Sequence, residues 1–282
     1  MRAILGGFGA ACCFATATLC ASRAGRLIPP SSVLAWAMVV GLAVTAPVLG
    51  AVPFPDSAGA AELGWLAVSG CGNVAGLLLA YSALRVGKVG VVAPILATEG
   101  ALAAVISVVA GEPLERAAAV LLAVIVVGVV LAAVAPDPAP VAAAGGLPAP
   151  LLASLAATFF GVTLFATGRV SASVPLPYVL LPPRLVGVLV LALPLLAGRR
   201  LRLTRRAVPL VLTAGLCEVC GFGSYALGAR HGLAVAAVLA SQFAGIAAVA
   251  AFVLFRERLT RLQVVGVSII VLGVSALSAV RA

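Results

Sequence analysis

Residues 81–114 read YSALRVGKVGVVAPILATEGALAAVISVVAGEPL, and residues 225–259 read YALGARHGLAVAAVLASQFAGIAAVAAFVLFRERL. Both stretches begin with Tyr, pass through a long apolar run and end on a Glu that is followed two residues later by Leu. A shift of 144 or 145 residues aligns them, with Tyr81 on Tyr225, Glu112 on Glu257 and Leu114 on Leu259. This match predicts that the chain contains two copies of one structural unit.

The repeat extends beyond these stretches to nearly the whole chain. Similar shifts pair residues near both ends of each unit: Ala10 with Ala156, Phe14 with Phe160, Arg23 with Arg169, Arg116 with Arg261 and Gly128 with Gly273. The first unit is predicted to cover residues 1–135 and the second 150–282. The segment between them, 136–149, is rich in Pro and Gly, which keep it from continuing a helix.

The composition places the chain in a lipid bilayer. Of its 282 residues 63% are hydrophobic and only 9% are charged, and the mean hydropathy is +1.26. A helix needs about 20 mostly apolar residues to cross the hydrocarbon core of a membrane. The sequence contains ten such runs, at 3–22, 32–52, 63–84, 89–110, 117–135, 150–168, 178–197, 207–229, 233–254 and 263–281.

These runs predict an all-α membrane protein with ten transmembrane helices, five in each unit. Because five is an odd number, the second unit enters the membrane from the side opposite to the first, so the units form two five-helix inverted repeats. Such repeats are associated with alternating access to a site near the middle of the bilayer.

The basic residues and the cysteines do not point to other partners. The net charge is +10, but Lys and Arg lie mostly between the predicted spans, where they set orientation and contact lipid headgroups rather than nucleic acid. All six cysteines fall inside spans and the chain has a single His. We therefore expect neither a metal site nor a cofactor.

The two quoted stretches resemble the two halves of EamA-type carriers of the drug/metabolite transporter superfamily. The shared pattern is an aromatic-Ala helix end, a next helix that carries Pro94 in the first copy, and a Gly-Glu-x-Leu-like turn before a Gly-rich last helix. The chain departs from the family in its first span, which lacks the usual Trp-Gly, and in its second, which has Met38 where the second half has Arg184. The resemblance implies a multi-pass exporter of small metabolites in a bacterial inner membrane, and it leaves a homodimer open.

Two acidic residues lie near the centres of their spans. Glu99 is in the fourth span and Glu218 in the eighth, where a carboxylate costs about 2.5 kcal/mol or more to insert. Burial disfavours the charged form, so each is a candidate to carry a proton during transport. The alternative is a permanently protonated Glu that only makes a hydrogen bond between helices.

Other polar residues share helix faces with these carboxyl groups. Asn73 and Tyr81 are eight residues apart on the third span, and Glu218 and Tyr225 are seven apart on the eighth, so each pair lies on one face. The fourth and ninth spans add Thr98-Glu99 and Ser241-Gln242. We expect these four spans to surround a central cavity. Hydrogen bonds between helices could also explain the amides, and an interfacial aromatic belt could explain the tyrosines.

Pro94 and Arg184 complete the candidate residues. Pro94 removes a backbone hydrogen bond within the fourth span, so we expect a kink below Glu99. Arg184 follows Pro182-Pro183, which we interpret as the start of the seventh span. There it could bind a substrate carboxylate or phosphate, but snorkelling to lipid headgroups is the favoured interpretation.

The sequence thus predicts a secondary transporter that exports small metabolites, such as amino-acid-like or amine compounds, with coupling to protons as a hypothesis. A channel or a lipid-handling protein is the alternative. An enzyme is disfavoured because no P-loop, HExxH or GxSxG motif occurs, and Ser69 with His231 only loosely imitates an intramembrane protease.

Membrane orientation is the first testable prediction. EamA-type carriers usually keep both termini in the cytoplasm, which would leave five Lys and Arg residues there and place twelve on the other side, with Arg184 left out. The positive-inside rule favours the opposite arrangement, with both termini outside. We therefore expect position 203 to face the cytoplasm and position 173 the outside.

The measurement is labelling of Leu203→Cys and Ser173→Cys in a cysteine-free background with a membrane-impermeant maleimide. Ser173→Cys should be labelled on intact cells and Leu203→Cys only after permeabilisation. Labelling of Leu203→Cys on intact cells would refute this orientation.

Overall fold

The computed structural model of the protein describes residues 2–49, 52–54, 58–99, 147–170, 173–229, 243–255 and 260–280, with residue 240 and single positions within 102–131. Within these residues every regular element is helical. Six helices are long and apolar enough to cross a bilayer: Leu5–Ala24, Pro30–Leu49, Ala60–Val86, Ala149–Thr167, Leu176–Ala197 and Val208–Tyr225. The chain is thus a multi-pass helical membrane protein, as predicted. The count of ten spans stays a prediction, because the fourth, fifth and ninth runs lie partly outside the described residues.

We number the described helices in chain order. In the first half they are α1 (Arg2–Ala24), α2 (Pro30–Leu49), α3 (Ala60–Val86) and α4 (Val89–Leu96). In the second half they are α5 (Ala149–Val170), α6 (Leu176–Gly187), α7 (Leu193–Ala197), α8 (Val208–Ala229), α9 (Phe243–Phe255) and α10 (Arg261–Val280). A π-helical turn, Val188–Ala192, joins α6 to α7 without a break.

Local sequence sets the ends of α3. The Gly59 amide donates to Glu62 Oε2 at 2.9 Å, so the Glu62 side chain closes the first turn. At the other end the Gly87 amide donates to the Ala83 carbonyl at 2.7 Å. The 27 residues between these ends make α3 long enough to span the bilayer with a tilt.

Helices of one half pack mainly against helices of the other half. α1 lies along α8, and α3 lies along α5. In the repeat, α1 corresponds to α5 and α3 to α8, so exchanging the halves converts one pair into the other. The pairs α2–α8 and α6–α3 are related in the same way, and α4–α9 and α2–α6 each map onto themselves. The packing pattern is therefore the same from either half.

Equivalent glycines make these close contacts possible. A Cβ on Gly76 of α3 would lie 2.6 Å from the Phe160 ring of α5, and a Cβ on Gly221 of α8 would lie 2.6 Å from the Phe14 ring of α1. Shifts of 145 and 146 residues convert the first pair into the second. Each half thus inserts a Phe against a bare helix backbone of the other half.

The contact between α2 and α6 is reciprocal in the same way. Gly41 of α2 faces the Arg184 side chain, since a Cβ there would lie 3.2 Å from Arg184 Cγ, and Gly187 of α6 faces the Met38 side chain. A shift of 146 residues maps Gly41 onto Gly187 and Met38 onto Arg184. One copy of the contact is therefore apolar and the other carries a charge. Superposition of 1–135 on 150–282 by a two-fold axis in the membrane plane stays a prediction.

The glycine contacts give a prediction on stability. Gly221→Ala and Gly76→Ala should each lower the thermal midpoint of the detergent-purified protein, because overpacking costs about 1–3 kcal/mol. Gly223→Ala on α8 and Gly64→Ala on α3 are matched controls, since an added Cβ meets nothing within 4 Å at either position. The controls should be neutral or stabilising, because Ala favours helix over Gly. Equal midpoints for all four variants would contradict close packing between the halves.

Candidate functional site

Four polar side chains from three helices lie in the interior of the bundle. Asn73 and Tyr81 come from α3, Arg184 from α6 and Glu218 from α8, and we call them the polar cluster. Arg184 is 1% exposed, and Asn73 and Tyr81 are each 3% exposed. Glu218 keeps part of its surface accessible. The cluster includes residues from both halves of the chain.

Each member of the polar cluster has at least one buried atom that lacks a hydrogen-bond partner among the described residues. These atoms are Asn73 Oδ1, Tyr81 Oη, Arg184 Nε, Arg184 Nη2 and Glu218 Oε2. Buried polar atoms in native proteins are nearly always paired, and an unpaired one costs about 1–3 kcal/mol. Tyr81, Arg184 and Glu218 also interact electrostatically with one another, and neighbouring unpaired atoms of this kind are typical of a site that a polar ligand completes.

The structure contradicts the favoured interpretation of Arg184. Pro182 and Pro183 do not begin a span but lie inside α6, which starts at Leu176. Arg184 is therefore more than two helical turns from the start of its helix and is almost fully buried, so its side chain does not snorkel to the headgroups. Its position leaves substrate binding as the surviving interpretation of the two.

An aromatic ring and a glycine position the Arg184 guanidinium. Its Cζ atom lies 5.6 Å from the centroid of the Phe222 ring, a cation–π geometry. Phe222 in turn packs edge-on against Phe14 of α1, with ring centroids 5.2 Å apart. Gly41 of α2 provides room for the aliphatic stem of the Arg184 side chain. Helices α1, α2 and α8 therefore together fix one charged group of α6.

The sequence placed Phe222 on the helix face of Glu218, but it did not connect Phe222 or Gly41 with Arg184. Phe222 follows Glu218 by four residues, so it was already assignable to the same helix face. The repeat carried a signal for Gly41. Gly41 aligns with Gly187 and Met38 aligns with Arg184, so the contact between Gly187 and Met38 predicts an equivalent contact between Gly41 and Arg184.

The charges of the site act on one another. Glu218 interacts electrostatically with Arg184 and Tyr81, and Glu99 interacts with Glu218 and Tyr225. Arg stays protonated in proteins, whereas a carboxyl group can take up a proton. One fixed positive charge thus faces two titratable carboxyl groups, and the set is neutral when one of the two carries a proton.

Glu99 lies three residues beyond the end of α4, after a short turn. The helix continues through Pro94 to Leu96, and the backbone then turns at Ala97 and Thr98. The Thr98 hydroxyl donates to the Ile95 carbonyl at 2.7 Å and so stabilises this turn, while its place in the substrate path stays a prediction. The break thus falls three residues beyond Pro94. Glu99 itself keeps part of its surface accessible.

Some of the other residues considered from the sequence belong to the described part of the chain, and the rest lie outside it. Tyr225 lies on α8 beyond Glu218 and is half-buried. Tyr81 is buried and does not belong to an interfacial belt. Ser241 and Gln242 lie outside the described residues, so their place at the cavity stays a prediction. His231 is also outside them, whereas the Ser69 hydroxyl hydrogen-bonds with Thr167 of α5 at 2.8 Å, a contact between helices.

Within the described part of the chain no group of three or more His, Cys, Asp or Glu side chains could hold a metal ion. The described cysteines are free thiols. The site is thus made of one guanidinium, carboxyl groups, an amide and phenols.

Comparison with known proteins places these features in a family. The sequence pattern described as "EamA-like transporter family" matches residues 1–134 and 147–279. A solved structure titled only "Crystal structure of protein" is 18% identical, covers 99% of this chain and 98% of its own, and superposes with a TM-score of 0.66, which shows a shared fold. No curated protein matches the chain.

The two unpartnered donors of Arg184 lead to a prediction that separates a binding role from a structural one. Replacing the buried guanidinium with an apolar residue of similar length removes its desolvation cost, and Glu218, its electrostatic neighbour, can become neutral by taking up a proton. Arg184→Met, which copies the Met38 contact of the other half, should therefore leave the thermal midpoint unchanged or raise it. If Arg184 held the helices together, the same variant would unfold at a lower temperature.

The reciprocal variant provides the control. Met38→Arg introduces a second buried charge at the equivalent contact and should lower the midpoint, by the several degrees that correspond to about 2 kcal/mol or more. Both midpoints are measured on detergent-purified protein. A lower midpoint for Arg184→Met than for the wild type would contradict the prediction.

Proposed function

Since the chain belongs to the EamA-like transporter family, a family of membrane transporters of the drug/metabolite type, we propose that it is a secondary transporter that exports small metabolites across a bacterial inner membrane by alternating access. The proposed substrates are amino-acid-like or amine compounds. Protons are the proposed coupling ion.

One observation carries the proposal: helices from both halves of the chain contribute five buried polar atoms without a partner, and three of the four residues that carry them, Tyr81, Arg184 and Glu218, interact electrostatically with one another. A substrate bound there would contact α3 of the first half and α6 and α8 of the second. If the two halves move relative to each other, the same contacts are exposed first to one side of the membrane and then to the other.

Glu99 and Glu218 are the proposed proton carriers. They interact electrostatically with each other, so protonation of one lowers the repulsion on the other. Glu218 also faces Arg184, and its unpartnered Oε2 atom can accept a hydrogen bond from a substrate. We therefore expect Glu218 to contribute more to transport than Glu99.

The test is transport as a function of pH in proteoliposomes, after a screen against a panel of metabolites has identified a substrate. Glu218→Gln and Glu99→Gln keep the size and hydrogen bonding of the side chain but cannot titrate, so pH dependence should vanish in at least one of them. Glu62→Gln is the control, because Glu62 only closes the first turn of α3. It should keep the wild-type pH profile.

Two results would contradict the proposal. Wild-type rates and pH profiles in both variants would show that the carboxyl groups only connect helices. Uptake that neither saturates nor exchanges with substrate on the other side would indicate a channel instead of a carrier.

A further inference from the structure

We infer that the substrate is a small organic anion whose carboxylate binds Arg184, and that it binds together with a proton on Glu218 and not in exchange for one. This inference rests on the proposed function and narrows it. Compounds with a carboxylate, including amino-acid-like ones, fit the site, and compounds with only an amine do not.

The first step is the difference between a permanent charge and a titratable one. Glu218 and Glu99 can become neutral by binding a proton and then need no ionic partner. Arg184 cannot lose its proton inside a protein, and at 1% exposure it is shielded from solvent. A buried charge without a partner is strongly unfavourable. The group that must receive a counter-charge is therefore Arg184, and this sets the charge of the ligand.

The second step is the geometry of the unpartnered donors. Nε and Nη2 are the two Arg184 atoms that lack a partner among the described residues. These two nitrogens form one edge of the planar guanidinium and point their hydrogens in the same direction. A carboxylate accepts two parallel hydrogen bonds from such an edge. The Phe222 ring, whose centroid lies 5.6 Å from Arg184 Cζ, contributes a cation–π contact and no hydrogen-bond acceptor, so it leaves both donors of this edge open to a ligand.

The third step is the set of charged and titratable groups around Glu218. Among the described residues α6 contributes Arg184, α3 contributes Tyr81, and the turn after α4 contributes Glu99. α1 brings the Cys13 and Cys20 thiols to the neighbouring Cys217 of α8. α2 has no titratable side chain. The fixed positive charge in this set is that of Arg184.

The consequence is competition for Arg184. When Glu218 is ionised, its carboxylate partly neutralises Arg184 and repels an arriving anion. When Glu218 is protonated, it neither neutralises Arg184 nor repels the anion, and the substrate carboxylate becomes the ionic partner of Arg184. Proton and anion therefore bind together and cross the membrane in the same direction, so export through this site is driven by an outward gradient of the substrate and carries protons out with it. An amine would do the reverse, because it would compete with the proton for Glu218 and leave Arg184 unpaired.

The experiment uses sets of compounds that share a skeleton and differ only in their charged groups. Suitable sets are propionate, alanine and ethylamine; 4-methylpentanoate, leucine and 3-methylbutylamine; and 3-phenylpropanoate, phenylalanine and phenethylamine. Exchange of each compound is measured in proteoliposomes at pH 5.5 and pH 8. We expect every exchanged compound to carry a carboxylate, with exchange at least tenfold faster at pH 5.5. An amine that exchanges while its carboxylate analogue does not would overturn the inference.

Variants test the assignment to individual residues. Arg184→Gln should reduce exchange of carboxylates at least tenfold, and Arg184→Lys should restore part of it. Glu218→Gln should exchange carboxylates at pH 8 as fast as the wild type does at pH 5.5, because Gln imitates the protonated acid. Thr158→Val is the control and should behave as wild type, since Thr158 is exposed and bonds only within its own helix.

The outcomes separate this inference from the proposed function. Saturable exchange of amines that is unchanged in Arg184→Gln would overturn the inference and leave the carrier in place. Slower carboxylate exchange at pH 5.5 than at pH 8 would overturn binding together with a proton. If no compound exchanges through the wild-type protein, in these sets or in the wider metabolite panel, the proposed function fails and the inference fails with it.

Discussion

A permanent positive charge enclosed by an apolar helix bundle is the constraint that organises this molecule. Arg184 is almost fully buried in a chain of which only 9% is charged. The hydrocarbon core of a membrane does not solvate a charge, so the helices of the bundle have to supply side chains that interact favourably with it. A ring face from α8, a glycine on α2, a phenol on α3 and a carboxyl group on α8 all surround this one side chain.

The neighbouring helices can reach Arg184 because the two halves approach each other closely. Lipid tails are as apolar as Leu, so helices in a bilayer associate through shape rather than through the hydrophobic effect. Here the shape comes from glycines that face phenylalanines across α1–α8 and α3–α5. Both α3 and α8 also contact α6. The packing and the polar cluster are therefore parts of one arrangement.

Hydropathy and repetition were sufficient to predict the class of fold, the six long spans and the deep positions of Asn73 and Glu218. These features depend on local composition and on spacing along one helix. The depth of Arg184 was missed because Pro182-Pro183 suggested a helix start, whereas α6 begins six residues earlier and accepts both prolines. Pro94 was predicted to kink the helix below Glu99. The structure has a turn at Ala97 and Thr98, between these two residues, and the kink at Pro94 itself stays a prediction.

Which helices meet could not be read from the sequence, because contacts between helices depend on the shape of both partners. Phe222 and Gly41 show this difference. Each had a signal in the sequence, a shared helix face in one case and a repeat partner in the other, but their joint contact with Arg184 appears only when α2, α6 and α8 are brought together. Glu99 and Glu218 were likewise assigned to separate spans, and their interaction is a property of the folded chain.

The difference between Met38 and Arg184 has a consequence for the resting state of a duplicated carrier. Two identical halves would give the inward-open and outward-open conformations equal free energies, so each would be populated half of the time. Here one half contributes Met38 and Asn73 where the other contributes Arg184 and Glu218. Under the proposed alternating access the charged pair would have a different environment in each conformation, so the two conformations would differ in free energy and the empty protein would favour one of them. Under this mechanism, differences at two positions between otherwise similar halves are enough to give one conformation the lower free energy.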